Sequence, residues 1–503
     1  MPGSLATHGP VPPIGLAYVA AAVRNAGHDV QLIDAPGEAM EQWVPFDTPM
    51  GEMHRIGLSP EEIVARVDER ASVIGVTNMF QHEWPQVRSL VPLLRERFPE
   101  AYIVLGGENP TAFRDWVMAE APDVDAIVLG EGELTMVELV GRRAQGESLG
   151  DLDGVVVRDP DAGITDRGLG QRLTKQELAV APRPAWDLVP LDNYWAHYPF
   201  LGVNRGRSIP ILGTRGCPYK CTFCSSPQMW TTRFVMREPS DVVDEIVEHV
   251  EAYGVQNVNF VDLTAATNRK WVLAVCDELE RRAPGVTWQL PIGTRSEAID
   301  EQVLQRLWDT GCRNIALCPE SGSQRMVDIY DKRVDLPHVL EAAEVANRIG
   351  VRTVVHIIIG HPDERWSDVW RSTTFLVRAA ARGCSDAAVI MFCPYPGSAD
   401  FRRLVASGDL EIDEASYYVG LARSSASNRS WNRRMSSRQL RWLQLGMLAT
   451  FYSVAMLRRP RRAWQFLTSL FNEREETYLD QVVRTRRRNL TPADASAEHP
   501  VAV

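Results

Sequence analysis

The sequence predicts an α/β protein built from two successive strand–helix alternations followed by a helical C-terminal region. Over residues 1–150, short apolar runs ending in glycine alternate with helix-length segments, the pattern of a Rossmann-like (flavodoxin-like) parallel sheet. Over residues 205–400 a second alternation makes six βα steps, which close naturally as a partial (β/α)6 barrel. Over residues 401–490, apolar residues recur at helical spacing among arginines.

In the first alternation, His28–Asp34 reads as a strand and Pro60–Arg70 as a helix. Ser72–Thr77 is a buried strand, Trp84–Phe98 a helix, and Tyr102–Gly107 and Asp125–Gly130 are further strands. Ligands of such sheets bind beyond the carboxyl ends of the strands. Those ends are Thr77–Gln81, Gly106-Gly107-Glu108 and Gly130-Glu131-Gly132-Glu133, where glycine lets backbone approach a flat ligand. Thr77, Gly106, Gly107, Gly130, Glu131 and Gly132 are the candidate contacts. Residues 151–204 read as a connector, with a hairpin turning at Asp159–Gly163 and a proline-rich link at Pro182–Leu188.

The barrel strands are expected at Ser208–Thr214, Val255–Phe260, Val286–Pro291, Asn314–Cys318, Arg352–Ile359 and Ala387–Phe392. Helices at Val242–Tyr253, Trp271–Arg282, Glu301–Thr310, Leu336–Ile349 and Trp366–Arg382 separate the last five from one another and from the first. Each strand end carries polar residues or glycine: Asp262 to Thr264, Gly293 to Glu297, Pro319 to Ser323, Gly360 to Glu364 and Cys393 to Ser398. Ser321, Ser323 and Asp363 are read equally well as site residues or as mere helix caps and turn residues.

Composition narrows the class. The chain has 503 residues, 45% hydrophobic and 24% charged, ordinary for a globular protein with a large core. A net charge of −11 leaves no general basic face for nucleic acid. Met1 to Pro13 lacks the charged and apolar regions of a signal peptide, and the longest late uncharged run, Trp442–Leu457, is too short to span a bilayer. Eight cysteines do not suggest a disulfide scaffold, so a reducing, cytoplasmic, low-oxygen setting is expected. Thr491–Val503 reads as a disordered tail.

The most specific signal is Cys217-Pro-Tyr-Lys-Cys221-Thr-Phe-Cys224, directly after the first barrel strand. Zinc sites group four ligands as two pairs, and no second pair follows at that spacing. Three thiolates on one loop instead suit a [4Fe–4S] cube held at three corners, with one iron open to a small molecule. Cys276, Cys312, Cys318, Cys384 and Cys393 are scattered and read as small buried hydrophobes.

The C-x3-C-x2-C loop, with Phe223 before its third cysteine, resembles the radical SAM superfamily. Pro12-Pro13-Ile14-Gly15-Leu16, Ala26-Gly27-His28-Asp29-Val30 and Gly130-Glu131-Gly132-Glu133 resemble the cobalamin-binding domain fused to class B members. The resemblance implies three cofactors: a [4Fe–4S] cluster on Cys217, Cys221 and Cys224, S-adenosylmethionine (SAM), and cobalamin. It implies SAM contacts at Asp262, Thr264, Arg295, Glu320, Ser321 and Gly360; His361 reads first as a turn residue, with a proton donor or SAM contact as the alternatives, and Tyr395 is a candidate to face substrate. Three departures stand out. Met1 to Val11 contain no strand-like run ahead of the Pro-Pro segment. No D-x-H-x-x-G cobalt-ligand motif follows the first strand; Glu52–Gly57 imitates it but sits elsewhere in the order. Asp262 to Thr264 stands where a Gly-Gly-Glu type turn is expected, without its glycines.

The implied activity is reductive cleavage of SAM to a 5′-deoxyadenosyl radical and methylation of an unactivated carbon in a small-molecule or lipid-like substrate, with electrons from a flavodoxin- or ferredoxin-type reductant. The alternatives are cobalamin-dependent rearrangement, cyclisation or oxidation, and a non-catalytic iron–sulfur or cobalamin sensor. Methylthiotransfer is disfavoured because residues 1–216 contain no cysteine for an auxiliary cluster. Leu440, Leu443, Met447, Leu448, Phe451 and Val454 form a helical stripe flanked by Arg438, Arg441, Arg458 and Arg459. It reads as a cap on the barrel or as a peripheral membrane contact.

Overall fold

In the computed structural model, residues 10–159, 163–197, 202–420, 429–460 and 479 are described. The expected tail and the arginine- and aromatic-rich run beyond residue 460 lie outside them, Leu479 apart.

The first domain opens with α1 (Ile14–Asn25) and a hairpin, β1 (Trp43–Thr48) and β2 (Gly51–Ile56). After α2 (Pro60–Arg66) the chain lays down β3 (Val73–Thr77), α3 (Trp84–Arg97), β4 (Tyr102–Gly106), α4 (Arg114–Glu120), β5 (Ala126–Val128) and α5 (Glu133–Gln145). Strands β3, β4 and β5 are parallel neighbours. β6 (Val155–Asp159) and β7 (Gly163–Asp166) then continue the same sheet antiparallel, in the order β3-β4-β5-β6-β7. The hairpin expected in the connector is therefore part of the first sheet, and Val155, Val156 and Val157 lie in its core.

The expected strand His28–Asp34 forms no ladder. In a 2-1-3-4-5 order its partner would be a strand ahead of α1, and among the described residues none is present. Its side chains take other partners. Val30 and Leu32 pack on Ala20, Ala21 and Ala185, and the Gln31 amide donates to the Arg66 carbonyl at 2.7 Å. The Glu52–Gly57 imitation falls on β2, where His54 stands opposite Pro45 in the hairpin.

The second domain holds β8 (Ser208–Ile211), β9 (Thr214–Gly216), β10 (Phe234–Met236), α6 (Pro239–Tyr253), β11 (Asn257–Phe260), α7 (Arg269–Arg282) and β12 (Thr287–Thr294). It continues with α8 (Glu301–Asp309), β13 (Cys312–Glu320), α9 (Leu336–Ile349), β14 (Arg352–Ile359), α10 (Trp366–Arg382) and β15 (Asp386–Met391). Six strands form one all-parallel sheet ordered β8-β11-β12-β13-β14-β15, the partial barrel the sequence predicts. Helices cover its outer face because their buried stripes (Val242, Val243 and Ile246 in α6; Val303, Leu304 and Leu307 in α8) fall at helical spacing. Gly254 stops α6 with a left-handed φ of 64°.

After β15, α11 (Ser437–Arg458) packs against α10 and β15, burying Leu440, Gln444, Met447, Phe451 and Ala455. It takes the place of the helix that would follow the sixth strand, so one face of this helix is a barrel cap. Among the described residues no helix is long and apolar enough to cross a membrane.

Candidate active site between the two domains

Cys217, Cys221 and Cys224 follow β9 on one loop, all half-buried and in no disulfide. The loop is pinned at its middle: the Thr222 amide donates to the Tyr330 carbonyl at 3.0 Å, and the Asp400 amide donates to the Thr222 carbonyl at 3.0 Å. Phe223 meets the Tyr330 ring edge-on at 5.3 Å. Burial pushes all three thiols up, while Lys332 and Arg295 pull Cys217 and Cys221 back down. Three convergent thiols under two cations suit an anionic cluster. Among the described residues no three His, Cys, Asp or Glu side chains gather tightly enough for a single ion. A cube holds its thiolates farther apart than one ion does.

The predicted SAM residues sit at successive strand ends but do not behave alike. Thr264 is buried with its hydroxyl unpartnered, and so is Ser296, which the sequence reading passed over. Buried hydroxyls left without a partner at strand ends suit a polar ligand. Glu320 ends β13 in a left-handed conformation, φ 64°, and accepts from the buried Lys332 ammonium at 3.0 Å. Lys332 had no signal in the sequence; it is one charge in a turn.

Other predicted contacts are committed to the scaffold. The Asp262 carboxylate accepts from the Gly213 amide at 3.2 Å, the Thr214 amide, and the Thr214 hydroxyl at 2.6 Å, and so ties the end of β11 to the start of β9. Burial nonetheless pushes it up to about 6. Arg295 lies 3.5 Å over the Tyr219 ring and donates to the carbonyls of Lys332 and Arg333. Ser321 is fully buried, 3.1 Å from the Ser372 hydroxyl on α10. Gly360 is needed for its φ of 88° and because a Cβ there would stand 2.6 Å from Leu440 of α11; its amide donates to Glu364. His361 is buried against Asp400 at 3.2 Å and between the Tyr330 and Phe392 rings.

Burial pushes Glu364 up to about 8, and one of its oxygens has no partner. The folded chain therefore keeps this proton where the unfolded chain, near the ordinary 4.5, has lost it. The unfolded state binds fewer protons in that window, so this group's contribution to stability falls as pH rises from about 4.5 to about 8. Glu364→Gln should match the parent in urea midpoint at pH 5 and exceed it at pH 9.

The strand ends of the first domain meet the cluster loop. Gly107, with φ 111°, follows β4; a Cβ there would lie 2.5 Å from the Asn78 carbonyl oxygen. Gly107→Ala should cost at least about 2 kcal/mol of stability, read by denaturant unfolding. Beside it Glu108, its carboxyl pushed up to about 7 by burial, accepts from the Ser225 hydroxyl next to Cys224. Gly130 donates its amide to Thr111 at 3.1 Å, and a Cβ there would stand 3.4 Å from the Met229 carbonyl oxygen. Glu131 accepts from the Leu173 amide at 2.9 Å, which fixes the connector. Glu133 forms a 2.9 Å ion pair with Arg215 of β9, nearly buried on both sides, over the Tyr18 ring. Gly132 packs on Val19 of α1. Thr77, Gly106 and the exposed Met79 and Phe80 border this boundary, and Asn109 keeps a buried, unpartnered carbonyl oxygen. Glycine backbone, exposed apolar side chains and an orphaned amide oxygen fit a flat, amide-bearing macrocycle.

Comparison with known proteins agrees with this two-domain architecture. A family model described as "B12 binding domain" matches residues 5–140, and one described as "Radical SAM superfamily" matches residues 211–376. Cytidylyl-2-hydroxyethylphosphonate methyltransferase of Streptomyces wedmorensis is 27% identical, over 80% of this chain and 80% of its own. Anaerobic magnesium-protoporphyrin IX monomethyl ester cyclase of Rubrivivax gelatinosus is 26% identical, over 70% of this chain and 60% of its own. The fold is similar to the radical S-adenosylmethionine methyltransferase TsrM from Kitasatospora setae, solved with cobalamin and a [4Fe–4S] cluster (TM-score 0.61, 15% identity, 89% of this chain and 87% of that one). With a B12-binding domain docked on a six-stranded radical SAM barrel through the cluster loop itself, the chain belongs to the B12-binding radical SAM enzymes.

Proposed function

We propose that this enzyme methylates an unactivated carbon of a small, lipid-like molecule, using a [4Fe–4S] cluster, SAM and cobalamin held between its two domains. The observation that carries this reading is the direct contact of the first domain's strand ends with the cluster loop and the strand that leads into it, through Glu108–Ser225 and Glu133–Arg215. Those contacts bring the first domain's strand ends beside the cluster loop, so the groups held by the two domains would stand close to one another. The bound groups supply electron transfer, sulfonium cleavage and methyl donation.

The chain's own residues do the rest. Cys217, Cys221 and Cys224 would hold the cluster. Thr264, Ser296 and the Lys332–Glu320 pair would orient SAM at the mouth, and Gly106, Gly107, Gly130 and Gly132 would let the macrocycle lie close. Phe392, Tyr395, Tyr417, Tyr418 and Trp431 belong to an apolar cluster that joins the barrel end to the first domain. Packed in this way, the cluster closes that side of the boundary to water, as a radical requires. A flavodoxin- or ferredoxin-type protein would supply electrons, in a reducing cytoplasm.

The test is anaerobic reconstitution with cobalamin, reductant and methyl-labelled SAM against lipid and phosphonate candidates. Label in the product together with 5′-deoxyadenosine is the expected result. Deoxyadenosine without transferred label would replace methylation by cyclisation or oxidation, as named for the cyclase relative. Absence of deoxyadenosine would leave the sensor reading.

A further inference from the structure

We infer that the outer face of α10 and α11 docks the enzyme on an anionic lipid bilayer. The two helices run side by side in the same direction. Leu440, early in α11, meets Gly360 just before α10, and Arg459, after α11, meets Gly383 after α10. Their outward surfaces carry large aromatics that folding leaves in water. Trp370 and Trp442 are each 73% exposed, and Trp366 is 47% exposed. Trp366 and Trp370 are one turn apart on α10, so they form one stripe. Tryptophan in that setting is costly in water and favoured at a membrane interface.

The charge on this face fixes the partner. The chain as a whole carries −11. α11 contains no acidic residue. The one acid of α10, Asp368, is buried against Arg325 and Ser323. Arg371, Arg378 and Arg438 are exposed on the same two helices, and none of them forms an ion pair among the described residues. Unpaired guanidiniums beside exposed indoles on an otherwise acidic protein match anionic headgroups over acyl chains. Both helices begin at the carboxyl ends of the barrel strands, so the tryptophans lie toward the end that holds the cluster loop. An apolar substrate leaving a bilayer would reach the mouth without crossing bulk water. This deepens the lipid-like substrate reading, yet docking is measured without turnover.

The experiment is vesicle flotation of the full chain, with phosphatidylcholine alone and with phosphatidylcholine mixed with phosphatidylglycerol. Flotation with the mixed vesicles only is expected. Trp370→Ser with Trp442→Ser, and separately Arg378→Gln with Arg438→Gln, should each weaken it about tenfold or more. These side chains are exposed, and an unchanged thermal transition confirms that the variants fold. Three results would overturn the inference: no flotation with either vesicle; flotation that the substitutions leave unchanged; or a dimer in sedimentation velocity that the tryptophan substitutions dissociate, which assigns the face to a second copy. Any of these three with labelled methyl transfer intact would remove the docking and leave the catalytic reading standing.

Discussion

Cys221→Ala should abolish the cluster. Iron content and the absorbance of the anaerobically reconstituted protein should fall to background, and 5′-deoxyadenosine formation with them. A cube held at three corners has no spare protein ligand, so the loss of one thiolate leaves two. The nearby thiol at Cys318 tests the assignment. It lies on β13 with its sulfur against Gly293, and burial pushes it far above the usual thiol range. A thiol that resists ionisation is a poor metal ligand. Cys318→Ser should therefore keep iron and activity. If Cys318→Ser lost iron and Cys221→Ala kept it, the site would be misplaced.

The second large effect is expected at Glu133. Its pair with Arg215 is nearly dry, and Arg215 stands two residues before Cys217. Glu133→Gln leaves a guanidinium in the boundary between the domains without its full counter-charge, over the Tyr18 ring. Breaking one side of a buried pair costs about 3–5 kcal/mol. Urea unfolding should show that loss, and cluster retention through gel filtration should drop with it. Arg215→Met combined with Glu133→Met should recover most of the stability, because an apolar pair of similar size removes the uncompensated charge. It should not recover activity if the pair also sets the position of the cluster loop. A single variant as stable as the parent would mean that the domains are held elsewhere.

The barrel was legible because its signal is local. Each of its strands is an apolar run before a polar turn, and the three cysteines lie within one loop. The parallel ladder from β8 to β15 then follows from the order of the elements. What the sequence hid depends on pairing across long separations. Lys332 and Glu320 meet through a turn, Arg215 and Glu133 across a domain boundary, and Ser225 and Glu108 likewise. Spacing along the chain names the strand end but not the partner a side chain takes there. Asp262 and Ser321 stand at strand ends as expected and are consumed by Thr214 and Ser372. His28–Asp34 shows the converse. Its apolar alternation fits a strand, but a strand exists only where a neighbour offers its backbone.

The antiparallel hairpin β6–β7 has a practical consequence for dissecting the molecule. A fragment ended near residue 150 would strip β5 of its neighbour and bare a row of unsatisfied amides and carbonyls beside Ile127 and Val128. Such an edge recruits other copies and precipitates. An excised B12-binding unit would have to run through Asp166 at least to remain monodisperse, and its natural border is therefore later than the alternation of strands and helices suggests.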